Sequence, residues 1–135
     1  MKAVIDTNVF ISGIFWKGES YNVLCSWRER KFDIIVSHEI LLELIKVLRD
    51  FKIKMPEDNI RKWIELIVYN SLLVCPKERV NIIKEDPQDN KFIEAALEGG
   101  DYIISQDKHL LRIKEFKGIK IITPKDFNKI LFSRT

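Results

Sequence analysis

Cysteine and histidine are scarce in this sequence, which has two of each among its 135 residues. Cys25 and Cys75 lie far apart, and neither has the nearby cysteine or histidine that a zinc motif requires. Both lie among apolar residues, so we interpret them as buried free thiols in preference to a disulfide. The sequence therefore excludes a cysteine-based zinc motif and disfavours a fold held together by disulfides.

Long hydrophobic runs and linker-like segments are also absent. No stretch approaches the ~18 uncharged apolar residues that cross a bilayer, and Asp6 interrupts the amino terminus where a signal peptide would still be apolar. The composition, 46% apolar and 32% charged, is typical of a globular protein. We therefore expect a single domain, residues 1–135, that stays in the cytoplasm and makes no membrane contact.

The chain has no large excess of charge of one sign, because its net charge is only +3. This value alone does not indicate a nucleic-acid partner. Five of the 20 acidic residues are predicted to lie together at one edge of the fold. The rest of the chain then has 15 acidic residues and 23 basic ones. These five acids are Asp6, Glu43, Asp86, Asp89 and Asp107. An acidic site within a basic surface suits a polyanion bound through its phosphates, with metal ions offsetting the acids.

Apolar runs of strand length alternate with segments of helical period along the chain. The predicted strands are residues 3–5, 32–36, 72–74, 102–104 and 119–122. Six helices are predicted. The first spans residues 8–14, the second ends near Arg30, and the third follows Ser37 as its cap. The fourth begins at Pro56, the fifth runs from Asp86 to Gly99, and the sixth follows Thr123. Continuously apolar strands that alternate with helices are typical of a parallel sheet covered on both faces. We therefore predict an α/β fold of three layers, α/β/α, with a central parallel sheet of about five strands.

The five acids occupy a common position relative to these strands. Asp6 directly follows the first strand, and Asp107 lies just beyond the fourth. Glu43 is in the second turn of the helix after the second strand, whereas Asp86 and Asp89 begin the helix that is reached from the third. Sites in open α/β sheets form at the carboxyl ends of the strands. We therefore expect these side chains to converge at that edge.

Carboxylates gathered in one place repel one another unless cations neutralise them. Their hard oxygen ligands, with few cysteines or histidines nearby, suit Mg²⁺ or Mn²⁺ better than zinc. These ions retain water and bind substrate phosphates, which is the chemistry of phosphodiester hydrolysis. The cluster therefore predicts a metal-dependent nuclease site.

Each acid also has a purely structural interpretation. Asp86, followed by a proline, is the residue type expected at a helix N-cap, and capping is the favoured interpretation for it. Asp89 has the position of the acid in a capping box, and Asp107 can cap the short helix that follows it. Asp6 can begin a tight turn, and Glu43 can be a solvated helix residue. The convergence of the acids therefore carries more weight than any one of them.

Histidine and tryptophan give weaker signals. His38 begins a helix and His109 lies in a polar turn, so surface or capping roles are favoured over general-base catalysis for both. Trp27 and Trp63 fall on apolar helix faces and are predicted to belong to the core. Trp16 is the one tryptophan whose neighbours predict an exposed ring, on which a nucleobase could stack.

Four segments of the chain, in order, resemble the motifs of the PIN domain, a family of metal-dependent ribonucleases. They read VIDTNVF (residues 4–10), SHEILLEL (37–44), DPQDNKF (86–92) and ISQDKHLL (104–111). The resemblance covers about residues 1 to 126. It is closest to small stand-alone prokaryotic members akin to the VapC-type toxins of toxin–antitoxin pairs.

The resemblance implies that four acids bind Mg²⁺ or Mn²⁺ and carry out catalysis: Asp6, Glu43, Asp89 and Asp107. Three polar residues would support these acids or contact a phosphate: Thr7, Asn8 and Ser105. Asp86 would be an auxiliary acid or only a helix cap. The resemblance also implies an endoribonuclease acting on RNA, a homodimer and, for a toxin, an antitoxin protein that covers the site.

Other functions share parts of this pattern. Phosphoryl transfer of the haloacid dehalogenase type also places an aspartate after the first strand, but it needs a second acid two residues later, where this chain has Asn8. A receiver-type phosphoacceptor needs paired acids near the first strand. The main alternative is a non-catalytic PIN-like module that binds RNA or a protein, although all four acids of the resemblance are present.

Overall fold

The structure, a computed structural model, describes residues 1–134. Its strands are β1 (Lys2–Ile5), β2 (Asp33–Ser37), β3 (Leu72–Val74), β4 (Tyr102–Ile104), β5 (Glu115–Phe116) and β6 (Ile119–Ile122). Its α-helices are α1 (Thr7–Phe15), α2 (Glu19–Arg28), α3 (His38–Asp50), α4 (Glu57–Asn70), α5 (Asn90–Ala96), α6 (Lys108–Leu111) and α7 (Pro124–Ser133). A 3₁₀ turn, Pro87–Asp89, directly precedes α5.

The strands form one sheet in the order β3-β2-β1-β4-β6-β5. Every neighbouring pair is parallel except β5 and β6. The three apolar residues of β1 are completely buried, as expected for a strand inside a parallel sheet whose faces are covered by helices. The predicted central parallel sheet flanked by helices is therefore confirmed.

Strand β5 is missing from the prediction. It forms a short antiparallel hairpin with β6, in which Phe116 pairs with Ile119. The two connecting residues, Lys117 and Gly118, have φ angles of 49° and 85°, and a type I′ hairpin turn needs positive φ at both positions. Lysine is an unusual residue at the first of these positions, so the sequence carries no clear hairpin signal there.

Helix α3 connects the end of β2 to the region of the acids. The Ser37 hydroxyl accepts a hydrogen bond from the Ile40 N–H at 3.3 Å, which confirms the predicted cap. Ile40, Leu44 and Leu48 recur at helical spacing and are buried. Glu43 lies at the margin of this stripe and is half-buried.

Helix α5 is buried on all sides and lies against β1, β2 and β4. Three of its buried residues are polar: Asn90, Lys91 and Glu94. Glu94 accepts hydrogen bonds from the Val80 N–H at 2.9 Å and from Arg79 at 3.1 Å. A buried helix with charged residues requires such partners, because an unpaired buried charge is costly.

The other helices cover the remaining parts of the sheet. Helix α2 packs between α1 and α7, and Gly13 permits the contact with α1, because a Cβ atom there would lie 2.8 Å from the Ser20 carbonyl oxygen. In α7, the Phe127 ring packs edge-on against Phe32 and Tyr102, with centroid distances of 4.8 and 5.6 Å. No helix within residues 1–134 combines the length and apolar character needed to span a membrane.

Two local predictions are wrong in detail. Cys25 and Cys75 are free thiols as predicted, but Cys25 is half-buried and Cys75 is exposed. Cys75 follows β3, which lies at the edge of the sheet and is itself poorly covered. Pro56 is the N-cap of α4 instead of its first residue, so the helix begins at Glu57.

Candidate active site

The centre of the site is a hydrogen-bonded link between the ends of β1 and β4. Ile5 pairs with Ile104 in the parallel register, so the next residues, Asp6 and Ser105, lie side by side at the carboxyl edge. The Ser105 hydroxyl donates to Asp6 Oδ2 at 2.7 Å and accepts from the Asp107 N–H at 2.9 Å. One buried serine therefore positions two of the predicted acids.

Both of these acids also cap helices. Asp6 is the N-cap of α1, and its Oδ1 accepts from the Asn8 N–H at 3.4 Å. Asp107 is the N-cap of α6, and its Oδ1 accepts from the N–H groups of His109 and Leu110 at 2.7 and 3.3 Å. The capping prediction for Asp107 is thus confirmed. The cap fixes one carboxylate oxygen and leaves Oδ2 without a hydrogen-bond donor within residues 1–134.

Glu43 reaches the same edge from α3 and is held by two donors. The Thr7 hydroxyl donates to Glu43 Oε2, and Lys91 Nζ lies 2.6 Å from Glu43 Oε1. Thr7 therefore supports an acid, in the manner expected from the sequence. The Asn8 side chain differs, because it is exposed and forms no hydrogen bond in the described part of the chain, so that only its main-chain N–H contributes.

Asp86 is the N-cap of the 3₁₀ turn Pro87–Asp89, with Pro87 at its first position as predicted, but neither Asp86 nor Asp89 makes a capping hydrogen bond through its side chain within residues 1–134. Asp86 accepts no cap hydrogen bond from its side chain. The Asp89 N–H, which an Asp86 cap would satisfy, instead donates to the main-chain carbonyl of Asp86 at 3.0 Å. Within residues 1–134 the Asp89 carboxylate makes no hydrogen bond either. Its oxygens are therefore available to a ligand.

Asn90 holds the segment that carries these two acids. Its Oδ1 accepts from the N–H groups of Ile82 and Ile83 at 3.0 and 2.9 Å. Its Nδ2 donates to the carbonyls of Ile83 and Pro87 at 3.0 and 2.9 Å. All four hydrogen-bonding positions of this buried amide are thus used, and they fix the loop against the start of α5.

Burial and the neighbouring carboxylates together raise the pKa values of two of the acids. Burial raises the pKa of Asp6, hydrogen bonds from Ser105 and from the Asn8 N–H partly counteract this, and the charges of Asp107 and Glu43 raise it again. Burial is also the main cause that raises the pKa of Asp89 to about 7, and four nearby carboxylates add to it. These are Asp86, Asp6, Asp107 and Glu43. The five predicted acids therefore share one electrostatic environment.

The donor set fits a hard divalent cation that keeps part of its water. No three acidic, histidine or cysteine side chains among residues 1–134 lie close enough together to form a metal cage. Mg²⁺ seldom uses such a cage, since it typically binds one or two carboxylates together with water and substrate phosphates. The oxygens without protein donors, on Asp89 and Asp107, are suited to this mode of binding.

Lys91 has no assigned role in the sequence-based prediction, although it lies inside the third PIN-like segment. It is only 8% exposed and pairs with Glu43. One feature of the sequence could have indicated a buried lysine: Lys91 directly precedes the apolar pair Phe92 and Ile93, in a helix that the structure shows to be buried throughout. A lysine at such a position is normally assigned to the solvent side, and only the packing of α3 against α5 shows its partner.

The residues with weaker sequence signals differ in their exposure. Trp27 is buried and Trp63 half-buried, as predicted, whereas Trp16 is 47% exposed. His38 is exposed. The Nδ1 atom of His109 lies 2.7 Å from the Arg112 guanidinium. The main-chain N–H of His109 donates to Asp107 Oδ1, as described above.

Known proteins share this architecture. In the crystal structure of VapBC2 from Rickettsia felis bound to a DNA fragment from their promoter, one chain matches with a TM-score of 0.60 and 12% identity, covering 91% of this chain and 98% of that one. An uncharacterized protein of Methanocaldococcus jannaschii is 31% identical over 144 aligned positions, covering 94% of this chain and 89% of that protein. A family model of the PIN domain matches residues 2–109. The chain therefore belongs to the PIN domain family.

Proposed function

We propose that this PIN-domain protein is an endoribonuclease that hydrolyses RNA phosphodiester bonds with Mg²⁺ or Mn²⁺. The observation that carries the proposal is the convergence of the acids at the carboxyl edge of the sheet, where burial in the first place and the neighbouring carboxylates in the second raise the pKa of Asp89 to about 7. Carboxylates held together at such a cost favour a site that binds a cation. Membership of the PIN family supports nuclease activity, since PIN domains are generally nucleases that use divalent metal ions.

Four acids would hold the ion: Asp6, Glu43, Asp89 and Asp107. When bound, the ion supplies an activated water and neutralises charge on the phosphate. Ser105 orients Asp6, and Thr7 together with Lys91 orients Glu43. Asp86, exposed and adjacent, adds negative charge to the site as an auxiliary acid. These contacts fix the carboxylates before substrate binds, which lowers the reorganisation needed during the reaction.

An RNA strand is the substrate that suits the surroundings of the acids. Lys108 follows Asp107 directly, and Arg112 lies one turn further on; both are exposed. Exposed cations next to a metal site favour a polyanion bound through its phosphates. We place this activity in the cytoplasm, where RNA is the abundant phosphodiester.

We further propose that the protein is the toxin of a toxin–antitoxin pair, that an antitoxin protein covers its acids, and that it forms a homodimer. The likeness to a chain of the VapBC2 structure supports the first two points. For the dimer, β3 is an edge strand whose Leu72 and Leu73 are both exposed. An exposed apolar edge strand favours pairing with another chain.

Cleavage of a panel of labelled RNAs by the purified protein tests the proposal, with Mn²⁺ or Mg²⁺ and with EDTA as the metal-free control. Asp6→Asn should reduce the cleavage rate by about a thousandfold or more while leaving the fold intact. Asp33→Asn is the matched control, because Asp33 is exposed at the opposite, amino-terminal end of β2, and it should cleave like the unaltered protein.

Equal activity of Asp6→Asn and the unaltered protein would reject the site assignment. If the folded protein cleaves no RNA of the panel but binds Mn²⁺ in calorimetry, and the binding requires Asp6, the outcome favours a nuclease of narrow specificity. If it neither cleaves RNA nor binds metal, the protein is a non-catalytic RNA-binding or protein-binding module.

A further inference from the structure

A groove begins at the acid cluster and runs along α3. Its volume is about 560 Å³, and one face of α3 lines it from Glu43 through Lys46 to Asp50. Gln88, the neighbour of Asp89, lines it on the other side. Because Glu43 belongs both to the groove and to the candidate site, the two are continuous.

The far end of the groove is aromatic. Phe51 lines it and stacks on Phe15 with a centroid distance of 4.8 Å and an interplanar angle of 26°. The Trp16 ring meets Phe51 edge-on at 5.8 Å. The 47% exposure of Trp16 leaves part of a large apolar ring in solvent. Exposed aromatic rings next to a charged groove are the type of surface on which nucleobases stack.

Positive charge accompanies these rings. Lys46 and Lys52 line the groove, and Lys17 follows Trp16 in the chain. Within residues 1–134 none of the three lysines forms an ion pair, so each is available to a phosphate. Asp50 is the acid near the aromatic end. The combination of lysines without ion pairs and one exposed tryptophan ring, backed by the half-buried Phe51, matches the two components of a single-strand binding surface, backbone charge and base stacking.

We propose that this groove binds single-stranded RNA and guides it to the acids, with a nucleobase stacked on the cluster of Trp16 and Phe51. The proposal rests on the nuclease function proposed above and identifies the residues of this chain that would bind the substrate outside the acid cluster. A duplex is excluded as the preferred ligand, because its bases are already stacked on one another and cannot contact the rings. RNA is favoured over a protein ligand because the groove opens directly onto a site suited to phosphates.

RNA binding in EDTA tests this inference without any need for cleavage. The probe is a fluorescein-labelled single-stranded RNA of about ten nucleotides, measured by anisotropy beside the same strand in a duplex. Trp16→Ala should weaken single-strand binding about tenfold, whereas Trp16→Phe should retain most of the affinity. Tyr69→Ala is the matched control, since Tyr69 is 82% exposed on α4 and does not line the groove; it should bind RNA like the unaltered protein.

Two further measurements make the result decisive. Lys52→Gln should lower the slope of log affinity against log salt concentration by about one unit, because one phosphate contact is lost. Duplex RNA should bind more weakly than the single strand, and Trp16→Ala should not change its affinity. If folded Trp16→Ala binds single-stranded RNA as tightly as the unaltered protein, the groove is not an RNA subsite and this face is left to a protein partner. If binding requires Trp16 but no RNA is ever cleaved, the groove assignment stands and the nuclease proposal fails.

Discussion

Lys91 Nζ lies 2.6 Å from Glu43 Oε1, and the lysine is almost completely buried. The pair connects α5 to α3 and places one fixed positive charge among the acids. Since the Thr7 hydroxyl donates to the other oxygen of Glu43, this carboxylate is more fully bound by protein groups than Asp89 is. Lys91 therefore offsets part of the repulsion in the cluster before any metal ion binds.

Removal of Lys91 should destabilise the metal-free protein. We expect Lys91→Met to lower the free energy of unfolding by about 2–4 kcal/mol, because it leaves the half-buried Glu43 charge without its partner. Urea unfolding in EDTA measures this change. The double variant Lys91→Met, Glu43→Gln should be more stable than Lys91→Met alone, since it also removes the unpaired charge. Strictly additive effects of the two substitutions would contradict the coupling.

Ser105→Ala should weaken metal binding and shift the pH dependence of cleavage. The Ser105 hydroxyl lowers the pKa of Asp6, so its removal should move the acidic limb of the cleavage profile to higher pH. We expect Mn²⁺ affinity, measured by calorimetry, to fall by about 10- to 100-fold, as is typical when a residue that orients a ligand is lost. Ser20→Ala is the control, because the buried Ser20 hydroxyl has no hydrogen-bond partner within residues 1–134. Equal effects of the two substitutions would argue against a special role for Ser105.

The raised pKa of Asp89 should make the metal-free protein less stable as the pH rises. Folded Asp89 keeps its proton up to a pH of about 7, whereas the unfolded chain releases it near the usual value of 3.8. Between these values the folded state binds more protons, so the free energy of unfolding falls with rising pH. Asp89→Asn has no carboxyl to ionise, so its free energy of unfolding should not fall in this way. Above pH ~7 it should be more stable than the unaltered protein by about 1–2 kcal/mol, a value reduced for the solvent that screens this half-buried group.

Thermal unfolding in EDTA across this pH range provides the measurement. At a pH of about 3 or below, where Asp89 is mostly protonated in both states, the two proteins should have nearly equal stability. Saturating Mn²⁺ should reverse their order at neutral pH, since the ion stabilises the protein that binds it more tightly. A stability difference that does not change with pH would contradict the assignment of the shift to Asp89.

Asn90→Ala should loosen the loop that carries Asp86 and Asp89. The substitution removes four hydrogen bonds from a buried amide, and we expect a loss of about 2–4 kcal/mol in the free energy of unfolding. Amide hydrogen exchange should accelerate at Ile82 and Ile83, whose N–H groups bind Asn90 Oδ1. Asn59→Ala, at an exposed position in α4, should change neither quantity by much. Unchanged exchange at Ile82 and Ile83 would show that other contacts hold the loop.

The sequence was sufficient for the parts of the fold that depend on local pattern. The apolar run before Asp6 indicates a buried strand because strands covered on both faces of a parallel sheet are continuously apolar. The spacing of Ile40, Leu44 and Leu48 identifies one face of a helix. The position of acids after strands then follows from the rule for sheet edges. These features need no knowledge of distant contacts.

Features that depend on the packed structure were missed. The partner of Lys91 lies on another helix, and its charge alone suggests a solvent-exposed side chain. Asp86 occupies the predicted N-cap position, but its side chain makes no cap hydrogen bond, because in the 3₁₀ turn the main-chain carbonyl of Asp86 already accepts the hydrogen bond of the Asp89 N–H. The roles of the five acids in metal binding and catalysis remain predictions for the experiments above.

The bond between Ser105 and Asp6 joins residues 99 positions apart, and this separation bears on how the protein is made. Strand β1 is synthesised well before its neighbour β4 and can pair with it only once β4 has also been made. Until then Asp6 lacks Ser105 and Asp107, and the acids are not assembled. If the proposed nuclease function holds, a chain whose synthesis is interrupted before β4 therefore lacks the assembled acids and cannot cleave RNA.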